Sequence, residues 1–87
     1  MEYKNEEHYV VILEEVEDGE VSVKVLAVKH SYEEAVMFLA EAVKEKRNEA
    51  EDYGYEVMED AKSCFDAGES GFYDNNHISL YIKEVIN

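Results

Sequence analysis

The sequence predicts an α+β fold, a three-stranded antiparallel sheet covered on one face by two helices, in the order β-β-α-α-β. Three observations predict it. An apolar run, an Asp-Gly turn and an alternating segment open the chain; two stretches with helical spacing follow; and a second alternating segment lies near the end. Because the chain has 87 residues, one domain over residues 1–87 is expected.

The first two predicted strands form a β-hairpin. Residues 9–13 are apolar and mostly β-branched or aromatic, which is typical of a strand buried on both faces, so the first strand is expected at about residues 8–16. Asp18-Gly19 is a favoured hairpin turn. Residues 21–25 then alternate valine with a polar side chain and continue to Val28, which predicts the returning strand.

A long amphipathic helix is predicted next. In the capping box at residues 31–34, the Ser31 hydroxyl accepts from the amide of Glu34 and the Glu34 side chain reaches back to Ser31, so the helix should start at Tyr32. Gly54 marks a break or a kink. The predicted core face consists of Ala35, Val36, Leu39, Ala42, Val43, the stem of Lys46, Ala50 and Tyr53.

A second, shorter helix is predicted between Gly54 and Gly68, its expected C-cap. Its apolar residues at helical spacing are Val57, Met58, Ala61, Cys64 and Phe65. Residues 78–82 alternate apolar and polar side chains, which predicts a last strand returning beside the first, with the first strand in the middle of the sheet. A helix over residues 73–86 is the alternative, because apolar residues there also fit a helical period.

The net charge of the chain limits the kinds of partner that it is expected to bind. The chain has 22 Asp and Glu against 8 Lys and Arg, a net charge of −14, so neither direct nucleic-acid binding nor membrane binding is expected and a natural partner should be basic. Cys64 is the single cysteine, so an internal disulfide is excluded. Since no secretory signal or membrane span is recognisable either, a cytoplasmic location is expected.

No pattern in the sequence predicts an enzyme, a cofactor or a bound metal. The three histidines are too far apart for a histidine-pair zinc site, and the glycines form no phosphate-binding loop. Residues 74–76, Asp-Asn-Asn, are expected to form a turn, with a divalent cation as the alternative. Cys64 beside a distant histidine, or Ser63 or Ser70, leaves a small enzyme as a third interpretation.

A helical projection places acids of the long helix on one flank, opposite Lys44 and Arg47. Residues 41, 45 and 49 rise about 6 Å per step, on the scale of successive phosphates of one nucleic-acid strand, so a carboxylate row can take the place of a phosphate row. Phe38 shares the flank as a candidate apolar anchor. With three acids of the predicted second helix, the expected partner-binding residues are Glu34, Phe38, Glu41, Glu45, Glu49, Asp52, Glu56, Glu59 and Asp60.

The chain combines a short length and an acid excess with two strands joined by a turn at residues 17–19, an amphipathic helix, and the tail at residues 72–80. Over about residues 9–86, this layout resembles that of small acidic phage-encoded inhibitors, above all the anti-CRISPR proteins that block an RNA-guided nuclease. In a member of that family the tail is helical and an extra helix precedes the hairpin, so no binding residue is transferred. The resemblance implies a target in the basic groove with which such a nuclease reads DNA.

The function expected from these observations is inhibition. The acidic flank would occupy the nucleic-acid groove of a basic partner, a Cas nuclease or another DNA enzyme, by imitating the charge of DNA, and the protein would be a monomer or weak homodimer. The alternative is a structural or housekeeping interaction protein with a solvated acidic surface, which pairs with itself through the hairpin edge or Met37. Tyr53, Tyr55 and Tyr73 are further candidate aromatic contacts.

Overall fold

A computed structural model describes residues 7–86, in which one helix packs on one face of a five-stranded antiparallel sheet. The elements are β1 (Glu7–Glu17), β2 (Glu20–Lys29), α1 (Tyr32–Tyr53), β3 (Glu56–Ala61), β4 (Cys64–Gly68) and β5 (His77–Ile86). The strand order is β2-β1-β5-β4-β3, and every neighbouring pair is antiparallel.

The predicted three-stranded sheet with two helices is therefore wrong. The segment expected to form the second helix is instead the β3–β4 hairpin, with Lys62 and Ser63 at its turn, and Gly68 ends a strand rather than a helix. The helical spacing of the apolar residues is fortuitous, since only Phe65 is fully buried whereas Val57 and Met58 are exposed. Strand structure prevails because β4 hydrogen-bonds the edge of β5 that β1 leaves free.

The predicted hairpin turn and the predicted start and end of the long helix are confirmed. β1 and β2 pair on either side of Asp18 and Gly19, whose φ angles of 51° and 82° suit a two-residue hairpin turn. α1 starts at Tyr32, where the Ser31 hydroxyl accepts from the amide of Glu34 at 3.2 Å, and ends at Gly54, which is left-handed with φ 75°.

The last segment is a strand, β5, so the alternative of a helix over residues 73–86 is wrong. β5 pairs with β1 as predicted, but the middle strand of the sheet is β5 and not β1. The pairing of β1 with β2 shifts between Val11 and Ile12, and the extra residue in β2 is Leu26. This bulge lets both Leu26 and Ala27 pack against the core.

The core lies between α1 and the sheet face toward it. Its buried residues are Val11 and Leu13 of β1, Ala35, Leu39 and Ala50 of α1, Phe65 and Ala67 of β4, and Ile78 and Leu80 of β5. The core stripe predicted for the helix is confirmed at Ala35, Leu39 and Ala50, but Tyr53 is 59% exposed because it lies at the very end of α1.

The other face of the sheet, here called the open face, points away from α1. On its uncovered part, the strand registers place Val21, Val23, Val25 and Val28 of β2, Val10 and Ile12 of β1, and Tyr81, Lys83 and Val85 of β5. The loop over residues 69–76 folds across one corner, where Tyr73 stacks on His77 with ring centroids 4.3 Å apart. The loop also holds the hairpin turn, because the amide of Gly19 donates to the Asn75 carbonyl at 3.0 Å.

Candidate partner-binding site

The helix displays a row of carboxylates on the side that faces the β1–β2 hairpin. Over its 22 residues α1 is about 33 Å long. Glu34, Glu41, Glu45 and Asp52 are all exposed. Glu41 and Glu45 lie across a groove from the hairpin, so the tertiary structure leaves the predicted flank open to a partner along the length of the helix.

This groove has an apolar floor and a charged rim. Its volume is about 570 Å³. The floor is formed by Leu13, Leu26, Phe38 and Ala42, and the rim by Glu15, Lys24, Glu41, Glu45 and Lys46. Phe38, the predicted anchor, is half-buried against the core, and the ammonium of Lys29 lies 5.4 Å from its ring centroid. Phe38 therefore presents only part of its ring to a partner.

Ion pairs divide the row into neutralised and unneutralised carboxylates. Glu49 lies 2.7 Å from the ammonium of Lys46, and Glu41 lies 3.2 Å from that of Lys44 in a pair that is highly exposed. An exposed pair of this kind contributes about 0–1 kcal/mol, so a cation of a partner can replace Lys44 at little cost. Within the described part of the chain, no ion pair holds the remaining three acids of the row, which are Glu34, Glu45 and Asp52.

The nine predicted site residues form two groups rather than one surface. Glu56, Glu59 and Asp60 are exposed on β3, at the edge of the sheet opposite β2 and about four strand spacings, or roughly 19 Å, from it. Asp60 forms an ion pair with Arg47 on the opposite flank of α1. Because these acids lie on a strand and not on a second helix, they do not extend the carboxylate row.

A polar network on the open face was missed by the sequence analysis. The Tyr73 hydroxyl donates to the carboxylate of Asp66 at 2.6 Å, and the Ser79 hydroxyl donates to the same group at 2.7 Å. His77 contacts Glu14 at 3.0 Å and the Tyr73 carbonyl at 2.7 Å. These contacts depend on strand pairing and on the loop at residues 69–76. Because His77 and Glu14 are 63 residues apart, no local sequence pattern predicts their contact.

The partners of His77 determine its protonation. Both of its ring nitrogens face oxygen acceptors, so both hydrogen bonds form only when the ring is the doubly protonated cation. Burial lowers the pKa of His77, but the hydrogen bonds to Glu14 and to the Tyr73 carbonyl outweigh it, and the pKa lies above 6.5. Burial, followed by the hydrogen bond to Asp66, raises the pKa of Tyr73 to about 12.

The network therefore holds the loop at residues 69–76 against the sheet, because each of its donors already has an acceptor within the chain.

Cys64, a candidate nucleophile, lies on β4 and not in a helix. Burial, followed by Glu59, raises the pKa of the Cys64 thiol to about 11, which keeps it in its weakly nucleophilic protonated form.

Within residues 7–86, no cluster of three or more His, Cys, Asp or Glu side chains is arranged to hold a metal ion, and no helix is long and apolar enough to cross a membrane. At residues 74–76, where a cation was the alternative, the Asn76 side chain accepts from the amide of Asp18 and donates to Glu69.

No protein-family model matches this chain, and comparison with curated proteins and with solved structures found no match.

Proposed function

We propose that this protein is an acidic binding module that occupies the nucleic-acid groove of a basic partner and blocks it. One observation carries the proposal: Glu34, Glu45 and Asp52 stand exposed along one side of α1, and none of them forms an ion pair with another side chain of residues 7–86. From Glu34 to Asp52 the row extends about 27 Å, comparable to the roughly 34 Å of one turn of B-DNA. Because the helix already orders the backbone of these residues, binding restricts only their side-chain rotamers.

The charge of the whole chain supports the same function. A net charge of −14 attracts a basic groove over a distance of about one Debye length or more and speeds association at low salt. The groove between α1 and the hairpin adds a narrow apolar floor at Leu26 and Phe38, where the aliphatic stem of a partner's Arg or Lys can lie below its charge. The specific partner we propose is the DNA-reading groove of an RNA-guided nuclease.

The decisive experiment compares two charge-matched triple variants. Glu34→Gln, Glu45→Gln and Asp52→Asn remove the unpaired row, whereas the control variant Glu33→Gln, Glu51→Gln and Glu20→Gln removes the same charge from other exposed positions. Each is tested for inhibition of target-duplex binding by a Cas9-type nuclease, over a series of salt concentrations. Each carboxylate contributes about 0.2–1 kcal/mol, so the row variant should bind roughly tenfold more weakly and the control variant nearly as well as the parent.

A capture experiment tests the broader proposal with other basic DNA enzymes. Immobilised protein is exposed to a bacterial lysate and washed, and then short duplex DNA is added. Proteins that bind in the proposed way must be released by the duplex and must bind the row variant roughly tenfold more weakly than the parent. If both triple variants retain the same partners with the same affinity, the carboxylate row is not the binding surface.

A further inference from the structure

The open face is an apolar surface on an otherwise acidic molecule. Its four β2 valines, Val21, Val23, Val25 and Val28, are 63%, 57%, 60% and 54% exposed. The strand registers place Ile12, Val10 and Tyr81 beside them on the same face. A contiguous apolar surface of this kind on a small protein marks an interaction site, whereas single exposed apolar residues do not.

We propose that two copies of this chain pack open face against open face in a two-fold symmetric dimer. The proposal does not rest on the acidic row, which lies on the other side of the molecule. A two-fold axis brings the same surface of both copies together, so an interface of this kind needs only self-complementarity. Rows of valine and isoleucine on two twisted sheets meet that need, as in the cores of β-sandwiches.

The distribution of charge favours a second copy as the occupant. Of the acids on this face, Glu14 is paired with His77, and Asp66 accepts from Tyr73 and Ser79. Glu59 lies opposite Asp66 on β3, at the far edge of the sheet from the β2 valines. Among the β2, β1 and β5 residues named above for the uncovered part of this face, Lys83 carries a charge and none carries a carboxylate. A basic partner would therefore find few acids here, whereas an uncharged face suits an identical face.

The net negative charge of the chain opposes contact between two copies through any other surface. Each chain carries −14, and contact through α1 or β3 would bring their carboxylates together. Sheets that pack face to face lie about 10 Å apart, so the two α1 helices, each roughly another 10 Å outward, would be about 30 Å apart. That separation is roughly three Debye lengths at 0.1 M salt, at which repulsion between the helices is largely screened.

The uncovered surface is small, so the expected dimer is weak. A strand of ten residues is about 33 Å long, and the three strands of the uncovered part, β2, β1 and β5, span about 10 Å between the outer two, which gives roughly 330 Å² per copy. A standard stable interface buries about 800 Å² per partner. Pairing of β2 edges, the alternative route, would leave the valine side chains in water and place Lys24 of each copy at the new junction.

Sedimentation equilibrium over about 1 µM to 1 mM protein tests the proposal. The test variant is Val23→Thr with Val25→Thr, which preserves β-branching and shape but makes the face polar. The control is Met37→Thr, which removes a side chain that is 71% exposed on α1. The parent and the control should dimerise alike, and the test variant should raise the dissociation constant at least about tenfold.

Salt and a second variant complete the test. Added salt should strengthen the dimer, because it screens the repulsion between two acidic chains. Val28→Glu, an exposed position at the end of β2, places a carboxylate on the face and should dissociate the dimer even if the threonine variant folds poorly. A parent that stays monomeric up to about 1 mM, or a dimer that survives both substitutions, overturns the proposal.

Discussion

Raising the pH above neutrality is expected to destabilise this protein through His77. His77 is 7% exposed, and its ring donates to the Glu14 carboxylate and to the Tyr73 carbonyl, while Asp66 adds further negative charge nearby. When the proton is lost, one ring nitrogen becomes an acceptor that faces another acceptor. The stacked ring of Tyr73 and the loop at residues 69–76 then lose part of what holds them to the sheet.

The sign follows from the direction of the pKa. Because the pKa of His77 is higher in the folded protein than its ordinary value of 6.5, the folded state binds the proton more tightly than the unfolded state does. The resulting stabilisation is complete below pH 6.5 and is lost as the pH rises through the folded pKa. Within that window the free energy of unfolding falls by up to about 1.4 kcal/mol per pH unit.

Glu14→Gln tests the cause, because it keeps an acceptor opposite His77 and removes the charge. A hydrogen bond to a charged group contributes about 1 kcal/mol more than a neutral one, which lowers Tm by roughly 4–8 °C in a chain of this length. The control is Glu20→Gln on the same hairpin, which is exposed and changes the net charge equally.

The assay is urea unfolding at half-unit steps from about pH 5.5 to 9, together with an NMR titration of the imidazole nitrogens. The parent and Glu20→Gln should lose stability above pH 6.5 with the slope given above, and Glu14→Gln should show a smaller loss that begins at lower pH. A folded-state pKa of His77 below 6.5, or the same pH dependence in all three proteins, would refute this account of the hydrogen bonds.

Two further changes test the local structure. Ser31→Ala removes the helix cap and should lower the free energy of unfolding by about 1 kcal/mol, which calorimetry would detect as a Tm about 4–8 °C lower. The control, Ser70→Ala in an exposed loop, should leave Tm unchanged. Equal effects of the two substitutions would contradict the capping role of Ser31. Gly68→Ala places a methyl group against the ring of Tyr73 and should cost about 1–3 kcal/mol in urea unfolding. The same variant should speed hydrogen exchange at the Gly19 amide, which bonds to the loop, and an unchanged exchange rate would show that the loop still covers the turn.

The candidate site was only partly predictable, because a helical projection describes one helix and not its neighbours. It correctly grouped Glu34, Glu45 and Asp52, since residues of one helix keep their relative directions wherever the helix packs. It could not show that Phe38 would be half-buried or that Leu26 would form the floor of the groove beside it, because both depend on the hairpin. The acids of β3 were misplaced because their segment was assigned the wrong period.

The sequence by itself determined the elements whose signals act over a few residues, and the charge. Asp18-Gly19 sets the first turn, Ser31 starts the helix and Gly54 ends it, through backbone conformations and hydrogen bonds that are nearly independent of the rest of the chain. The tertiary structure decided the remainder. Residues 56–68 became a hairpin because β5 offers an edge to β4, and His77 gained its charge partner from a strand 63 residues away, since strand pairing joins segments that no local pattern connects.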